Sequence, residues 1–210
     1  LVPIGDQFLF PDYDYCLNLG GFANISMQLK GKRLAFDISP ANIILNYFAA
    51  QKGKVYDKNG AIAAAGKTDD NLLQTLNNLG YYHMEPPKSL GREWIEKEII
   101  PLIRLFNIST EDAASTFCEH IAMQIGAVTD HNPLKRMLIT GGGAFNTYLL
   151  SRIAANTRVQ LHIPDADIVN YKEAIIFAYL GLLRMQHKPN CLASVTGANH
   201  DVSGGAIYLP

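Results

Sequence analysis

Near the start of the chain, apolar and polar positions follow a period of two, which then gives way to a helical period. Tyr15–Leu19 is an apolar-rich run, Ile25, Met27 and Leu29 alternate against Ser26 and Gln28, and a third run spans Arg33 to Ile38. Gly20-Gly21 and Lys30-Gly31-Lys32 separate them. This pattern predicts three strands joined by tight turns, an antiparallel meander. Residues 1–13, with Pro3 and Pro11, read as irregular. From Asn42 to Gln51, Ile43, Ile44, Tyr47 and Phe48 share one side of a helix. Asp69 to Leu79 predicts a short helix, and Pro86-Pro87 stops it. Gly91 to Phe106 predicts a helix that Pro101 should kink or split. Ser109 is an N-cap for a helix reaching about Val128, striped by Ala114, Phe117, Ile121, Ile125 and Val128 at steps of three and four. Arg136–Thr140 reads as a short buried strand, Asn146–Asn156 as a helix, and Val159–Ile163 as another strand. Asn170–Gln186 is nonpolar on nearly every side after Glu173, which predicts the most buried helix of the molecule. Residues 205–208 predict a short last strand.

The resulting order is a meander followed by strand–helix–strand units. It predicts an α/β fold with a mixed sheet and helices on both faces. Strands 136–140 and 159–163 should join in parallel beside the first strand, through right-handed crossovers. Charge narrows the classes. Lys+Arg is 18 against 19 Asp+Glu, a net charge of −1, so the basic excess of a nucleic-acid binder is missing. No apolar run reaches the roughly 18 residues of a membrane span. Charged residues are 18% of the chain, below the roughly 25% of ordinary domains. That predicts much buried surface, including an interface with something outside these 210 residues. Cys16, Cys118 and Cys191 are odd in number and far apart, with neither metal spacing nor a disulfide framework, which fits a reducing, cytoplasmic compartment. No pair among the histidines has ligand spacing, so no metal site is expected within the chain. The chain opens at Leu1 without an initiator Met and reads as cut from something longer.

Candidate chemistry concentrates in glycines. Leu138 to Asn146 reads as strand, Gly141-Gly142-Gly143 loop, Ala144, Phe145, then a helix from Asn146. Three glycines clear side chains from where a ring or phosphate meets backbone, and a helix N-terminus points N–H groups back at the loop. A tight strand-to-helix turn is the plainer alternative, although one glycine would serve it. Gly20, Gly21 and Asn24 lie in a hairpin that taken alone is an ordinary turn. Two such loops in one mixed sheet favour phosphate contact at both. They should share one sheet edge and one crevice with the strand end near Asp37. Gly66-Lys67-Thr68 ends like a P-loop, but Ala61 stands where its first glycine belongs. Asp37 either faces a ligand crevice or opens a turn before Pro40. Glu173 is three residues after Asn170, the spacing of a capping box. Taken by itself the cap is the favoured reading; the other is a partly buried acid, with desolvation raising its pKa. Residues 86–93, with Lys88, Ser89, Arg92 and Glu93, suit either an anion or a helix cap, and Asp57 and Lys58 read as solvated.

Taken in order, these pieces resemble the C-terminal lobe of the anhydro-N-acetylmuramic acid kinases, within the superfamily of sugar kinases, actin and heat-shock chaperone ATPases. The resemblance rests on Leu17 to Ile25 as a second phosphate loop, on Phe36-Asp37 with Pro40 and Asn42, and on Tyr56-Asp57-Lys58 with Gly60 and Gly66. Pro86 to Glu93, Gly141 to Ala144 with Asn146, Glu173-Ala174, and Ser194 to Ala198 complete it. Ile38, Ser39 and Ala41 stand where the family has Thr, Gly and Gly. The resemblance implies one RNase H-like lobe of a two-lobe sugar kinase, with an N-terminal lobe as its partner. The implied reaction opens the anhydro bridge of 1,6-anhydro-N-acetylmuramic acid and phosphorylates it to the 6-phosphate, in peptidoglycan recycling, with ATP and Mg2+. By the same resemblance Gly20, Gly21 and Asn24 contact phosphates, and Gly141, Gly142, Gly143, Ala144 and Asn146 hold the adenosine. Asp37 and Glu173 face the sugar, with Glu173 catalytic. The family's first phosphate loop and catalytic aspartate lie upstream of the segment matching Leu1, so the 210 residues alone are expected to be inactive. A homodimer is a further expectation. The alternatives are an ATP- or sugar-binding lobe of another kinase of the superfamily, and a non-catalytic dimerisation lobe.

Overall fold

Strands β1 (Tyr15–Leu19), β2 (Phe22–Leu29) and β3 (Lys32–Pro40) form the expected antiparallel meander. β4 (Arg136–Thr140) pairs parallel with β1, and β5 (Gln160–His162) pairs parallel with β4. The order across the sheet is β3-β2-β1-β4-β5. The computed structural model describes residues 1–129 and 131–208. β5 is shorter than the expected 159–163.

Side chains alternate across the sheet. Tyr15, Leu17, Leu19, Met137 and Ile139 enter one large core together with residues of α2 (Asn42–Gln51), α7 (Thr110–Ala127) and α8 (Thr147–Asn156). Cys16 points the other way, toward α1 (Val2–Leu9) and α9 (Ala166–Met185). Its thiol is pushed up to about 11, first by burial and then by the nearby Asp6 carboxylate of α1. A smaller core of Ile4, Ile176, Leu180 and Leu183 joins α1 to α9. Helices thus cover both faces, as the meander-plus-crossover order requires.

Between the meander and α7 lie α3 (Ala61–Ala65), α4 (Asp70–Asn77), α5 (Arg92–Trp94) and α6 (Ile100–Leu105). Pro101 does interrupt its helix: a π-helical turn, Ile95–Ile99, separates α5 from α6. That wider turn accommodates a residue with no N–H to give. Ser109 caps α7 as read, accepting from the Asp112 N–H at 3.0 Å.

Four expectations are corrected. Residues 2–9 are helical, because Pro3 sits in the first turn, where its missing N–H costs nothing. Gly5 lets this helix touch its neighbour, since a Cβ there would meet Ile176 at 2.5 Å. α9 begins at Ala166, not Asn170. Its N-cap is Asp165, which accepts from the Ile168 N–H at 2.9 Å. α9 is also not the most buried helix; α7 is, with buried residues on every turn. Val169, Ile176, Leu180 and Leu183 of α9 face the core, while Tyr171, Ile175, Leu182 and Met185 stay exposed. The helix is apolar all round, but only one side finds a partner within the described residues. Residues 205–208 form no strand. The tail pairs instead through a bridge of Cys191 with Val202, before which comes the short α10 (Ala193–Thr196).

Candidate functional site

β1 and β4 are parallel neighbours, so the loops that follow them, at Gly20 and Gly141, emerge at the same sheet edge. The loops interlock. Gly141 has φ +81°, and a Cβ there would meet Asn18 Oδ1 at 2.5 Å and the Leu19 backbone at 2.9 Å. A Cβ on Gly143 would meet Leu19 Cβ at 2.6 Å. Packing of loop on loop therefore requires two of the three glycines. Gly142 is different: it is exposed, and a Cβ there would find only Asn42 Nδ2, at 3.7 Å. Its missing side chain leaves open space over the loop. Gly143 and Ala144 are buried beneath it. Asn146 caps α8, its Oδ1 accepting from the Leu149 N–H at 3.0 Å.

The hairpin is held from behind by the start of α2. The N–H groups of Ala41 and Ile43 donate to Gly21 O at 2.8 and 3.1 Å, and that of Asn42 to Gly20 O at 3.1 Å. The Asn42 side chain donates to Leu19 O at 2.8 Å. These first-turn donors of α2 are thus spent on fixing the hairpin.

Three cavities run along this edge. The first, about 530 Å³, is lined by Asn46, Tyr56, Lys58, Gly142, Phe145, Asn146 and Asn170, among others. The second, about 430 Å³, lies between Gly20, Asn24, Thr140, Gly141 and Gly142 on the sheet side and Asn170, Lys172 and Glu173 of α9. The third, about 620 Å³, contains Asn24, Ser26, Asp37, Lys88, Glu173 and Phe177. Gly142 and Asn170 border both the first and the second. Asn24 and Glu173 border both the second and the third. The three form one cleft, floored by the sheet edge and walled by α9.

Asp37 reaches the third cavity through an irregularity in the sheet. Asn24 pairs with Asp37 but Ala23 pairs with Ser39, so Ile38 is an extra residue bulged out of the ladder. The segment before α5 docks on this point. Asp37 Oδ2 accepts from the Leu90 N–H at 2.9 Å, the Asp37 N–H donates to Lys88 O at 3.2 Å, and Tyr81 Oη donates to Asp37 O at 2.6 Å. Burial pushes the Asp37 carboxyl above its ordinary value, while the Leu90 N–H pulls in the opposite direction. Asp37 is therefore no turn-opening residue but a tethered, half-buried acid inside a strand.

Glu173 is neither buried nor a capping residue. It lies on the exposed cleft side of α9, two turns in, and makes no hydrogen bond or ion pair among the described residues. Its neighbour Lys172 is buried and ion-paired with Asp6 at 2.6 Å, with Nζ 5.5 Å from the centre of the Phe10 ring. Asp57, read as solvated, is buried: its two carboxylate oxygens accept from the N–H groups of Ile62 and Ala63 at 2.8 and 3.1 Å, holding α3. Reading the residues alone missed Asn18 and Lys172. Asn18 is a lone amide in an apolar strand, and that was its only signal; Lys172 stands among the other polar residues near the start of α9 and gave none. No group of three or more His, Cys, Asp or Glu that could hold a metal occurs among the described residues. All three cysteines are free. No described helix is long and apolar enough to cross a membrane.

A sequence model of the anhydro-N-acetylmuramic acid kinases matches residues 1–210. The chain belongs to the anhydro-N-acetylmuramic acid kinase family. An anhydro-N-acetylmuramic acid kinase of Vibrio vulnificus (strain CMCP6) is 33% identical over 220 residues, covering 99% of this chain and 60% of the relative. One from Shewanella sp. (strain ANA-3) is 36% identical over 207 residues, covering 90% of this chain and 54% of the relative. The chain thus spans little more than half the length of these kinases. Two solved structures share the fold. One is the activator of the 2-hydroxyisocaproyl-CoA dehydratase from Clostridium difficile with bound ADPNP, with TM-score 0.50 and 16% identity over 88% of this chain and 66% of that one. The other is component A of the Acidaminococcus fermentans (R)-2-hydroxyglutaryl-CoA dehydratase, with TM-score 0.51 and 14% identity over 83% of this chain and 63% of that one. The fold is the α/β fold of actin-like ATPases.

Proposed function

We propose that this chain is the C-terminal lobe of an ATP-dependent kinase acting on 1,6-anhydro-N-acetylmuramic acid. The observation that carries this reading is the line of three connected cavities along α9, with both glycine loops at their centre. Adenosine fits the first cavity, where Tyr56 and Phe145 offer exposed rings beside Gly142. The phosphates occupy the second, against Gly20, Asn24 and Gly142. The sugar fits the third, between Asp37 and Glu173. The solved relative with bound ADPNP supports a nucleotide on this fold.

Phosphoryl transfer is mainly positioning and charge stabilisation, which suits a site built from backbone and a few fixed polar groups. Glu173 sits where the second and third cavities meet, beside the transferring phosphoryl group. Its unpaired carboxylate can orient a sugar hydroxyl or hold a water molecule against the opening bridge. Asp37, tethered by Leu90, fixes the far side of the sugar. Magnesium, which neutralises phosphate charge when bound, fits this donor set only as an ion shared with the nucleotide: one free carboxylate, Glu173, faces the phosphate cavity, and no protein cage exists among the described residues. The rest of the kinase, beyond these 210 residues, supplies the opposite wall and covers the exposed side of α9. The whole works in the cytoplasm and pairs as a homodimer. The test is to incubate the intact protein with ATP and the anhydro sugar. Mass spectrometry should show a product heavier by one HPO3 and one H2O. Recovery of the unchanged sugar would refute this reading.

A further inference from the structure

The third cavity contains a cation that phosphoryl transfer leaves unused. Among the described residues, Lys88 is the only lysine or arginine lining it, in a cavity shared with the carboxylates of Asp37 and Glu173; the third acid, Asp6, is already paired with Lys172. Lys88 makes no ion pair among the described residues. Its ammonium donates to Tyr81 O at 3.2 Å and lies 4.9 Å from the centre of the Tyr81 ring and 6.0 Å from that of Phe36. An ammonium has three donors, and a single carbonyl accepts here. The backbone around it is clamped, since Lys88 O accepts from Asp37 and the Leu90 N–H binds the Asp37 carboxylate. Burial lowers the Lys88 pKa, while the Glu85 carboxylate pulls the other way without forming an ion pair with it. Such a group is organised in advance for an anion. The phosphates are not that anion, because Lys88 does not border the cavity of Gly20, Gly141 and Gly142.

We propose that Lys88 selects the acceptor by binding the carboxylate of its lactyl ether, the group that separates a muramic acid from a plain N-acetylglucosamine. This rests on the kinase reading above and adds to it a residue that recognises the acid. A carboxylate brought into a cavity already holding two acids meets repulsion everywhere except beside this ammonium.

The experiment compares 1,6-anhydro-N-acetylmuramic acid with its lactyl amide, a neutral near-isostere, in the intact protein. Wild type should prefer the acid, while Lys88→Met should lose roughly 10- to 100-fold in kcat/KM on the acid and little on the amide, the range of a charge-assisted hydrogen bond. Lys88→Arg should retain part of the preference. Equal losses on both sugars would make Lys88 a structural support and overturn the proposal, as would no loss on either. Calorimetric titration of both sugars separates this from the kinase reading. If wild type binds the acid more tightly than the amide and Lys88→Met does not, the inference stands even where no phosphate is transferred. If wild type binds neither sugar, or both equally, it falls.

Discussion

Glu173 and Asp37 line the same cavity, yet the chain holds them in opposite ways. Glu173 is exposed and unpartnered, so removing its charge breaks no contact. We expect Glu173→Gln in the intact protein to lower kcat by 10-fold or more, about 1.4 kcal/mol in the barrier, with an unchanged melting temperature. Full activity with a lowered melting temperature would reduce Glu173 to a structural residue. Asp37 is tethered, and burial raises its pKa above the ordinary 3.8. A carboxyl raised in the folded state binds its proton more tightly there than in the unfolded chain. Its contribution to stability is therefore present below the ordinary value and is lost as pH rises through the raised one. Asp37→Asn keeps an acceptor for the Leu90 N–H but removes this titration. The variant should gain stability relative to wild type as pH climbs through that window, while its KM for the sugar rises. Melting curves at several pH values, beside sugar kinetics, check both effects.

At the scale of elements, the loop after β4 makes two demands on its glycines, and they can be separated. Gly141→Ala forces a side chain to φ +81° and into Asn18 and Leu19, so it should cost about 1–3 kcal/mol of stability. Gly142→Ala meets nothing nearer than 3.7 Å, so its melting temperature should hold, while nucleotide affinity falls 10-fold or more as a methyl group enters the cleft. Thermal melting beside titration with a fluorescent ATP analogue distinguishes them. Loss of stability at Gly142 without loss of affinity would remove it from the nucleotide site. The meander and α7 were legible in the sequence because alternation, glycine turns and the Ser109 cap all agree. The start of α9 was not. Its cap, Asp165, directly follows Pro164, but the dense apolar run further on drew the boundary to Asn170. α1 was hidden by reading Pro3 as a breaker when it is a starter. At the site, the glycine loops and Asp37 announced themselves by residue type. Lys172 did not, because its partner Asp6 lies near the other end of the chain and only the folded molecule brings them together.

The molecule as a whole presents one cleft wall and one uncovered apolar helix side, where Tyr171 is 60% and Met185 64% exposed. The 210 residues on their own should therefore bind ATP weakly and phosphorylate nothing, since a cleft with a single wall positions its reactants poorly. A coupled assay comparing the isolated chain with the intact protein checks this, and turnover near the intact rate would overturn the assignment of a single lobe. α9 also does something that neither the loops nor the sheet can do. Asn170 touches the first and second cavities, Glu173 the second and third, and Phe177 the third. From Asn170 to Phe177 is about 10 Å of helix at 1.5 Å per residue. In the proposed kinase the helix is thus a gauge block between nucleotide and acceptor, a spacer that cannot stretch. Inserting a single residue between Asn170 and Glu173 would swing the acid about 100° around the axis and out of the cleft. The length of this stretch is therefore fixed.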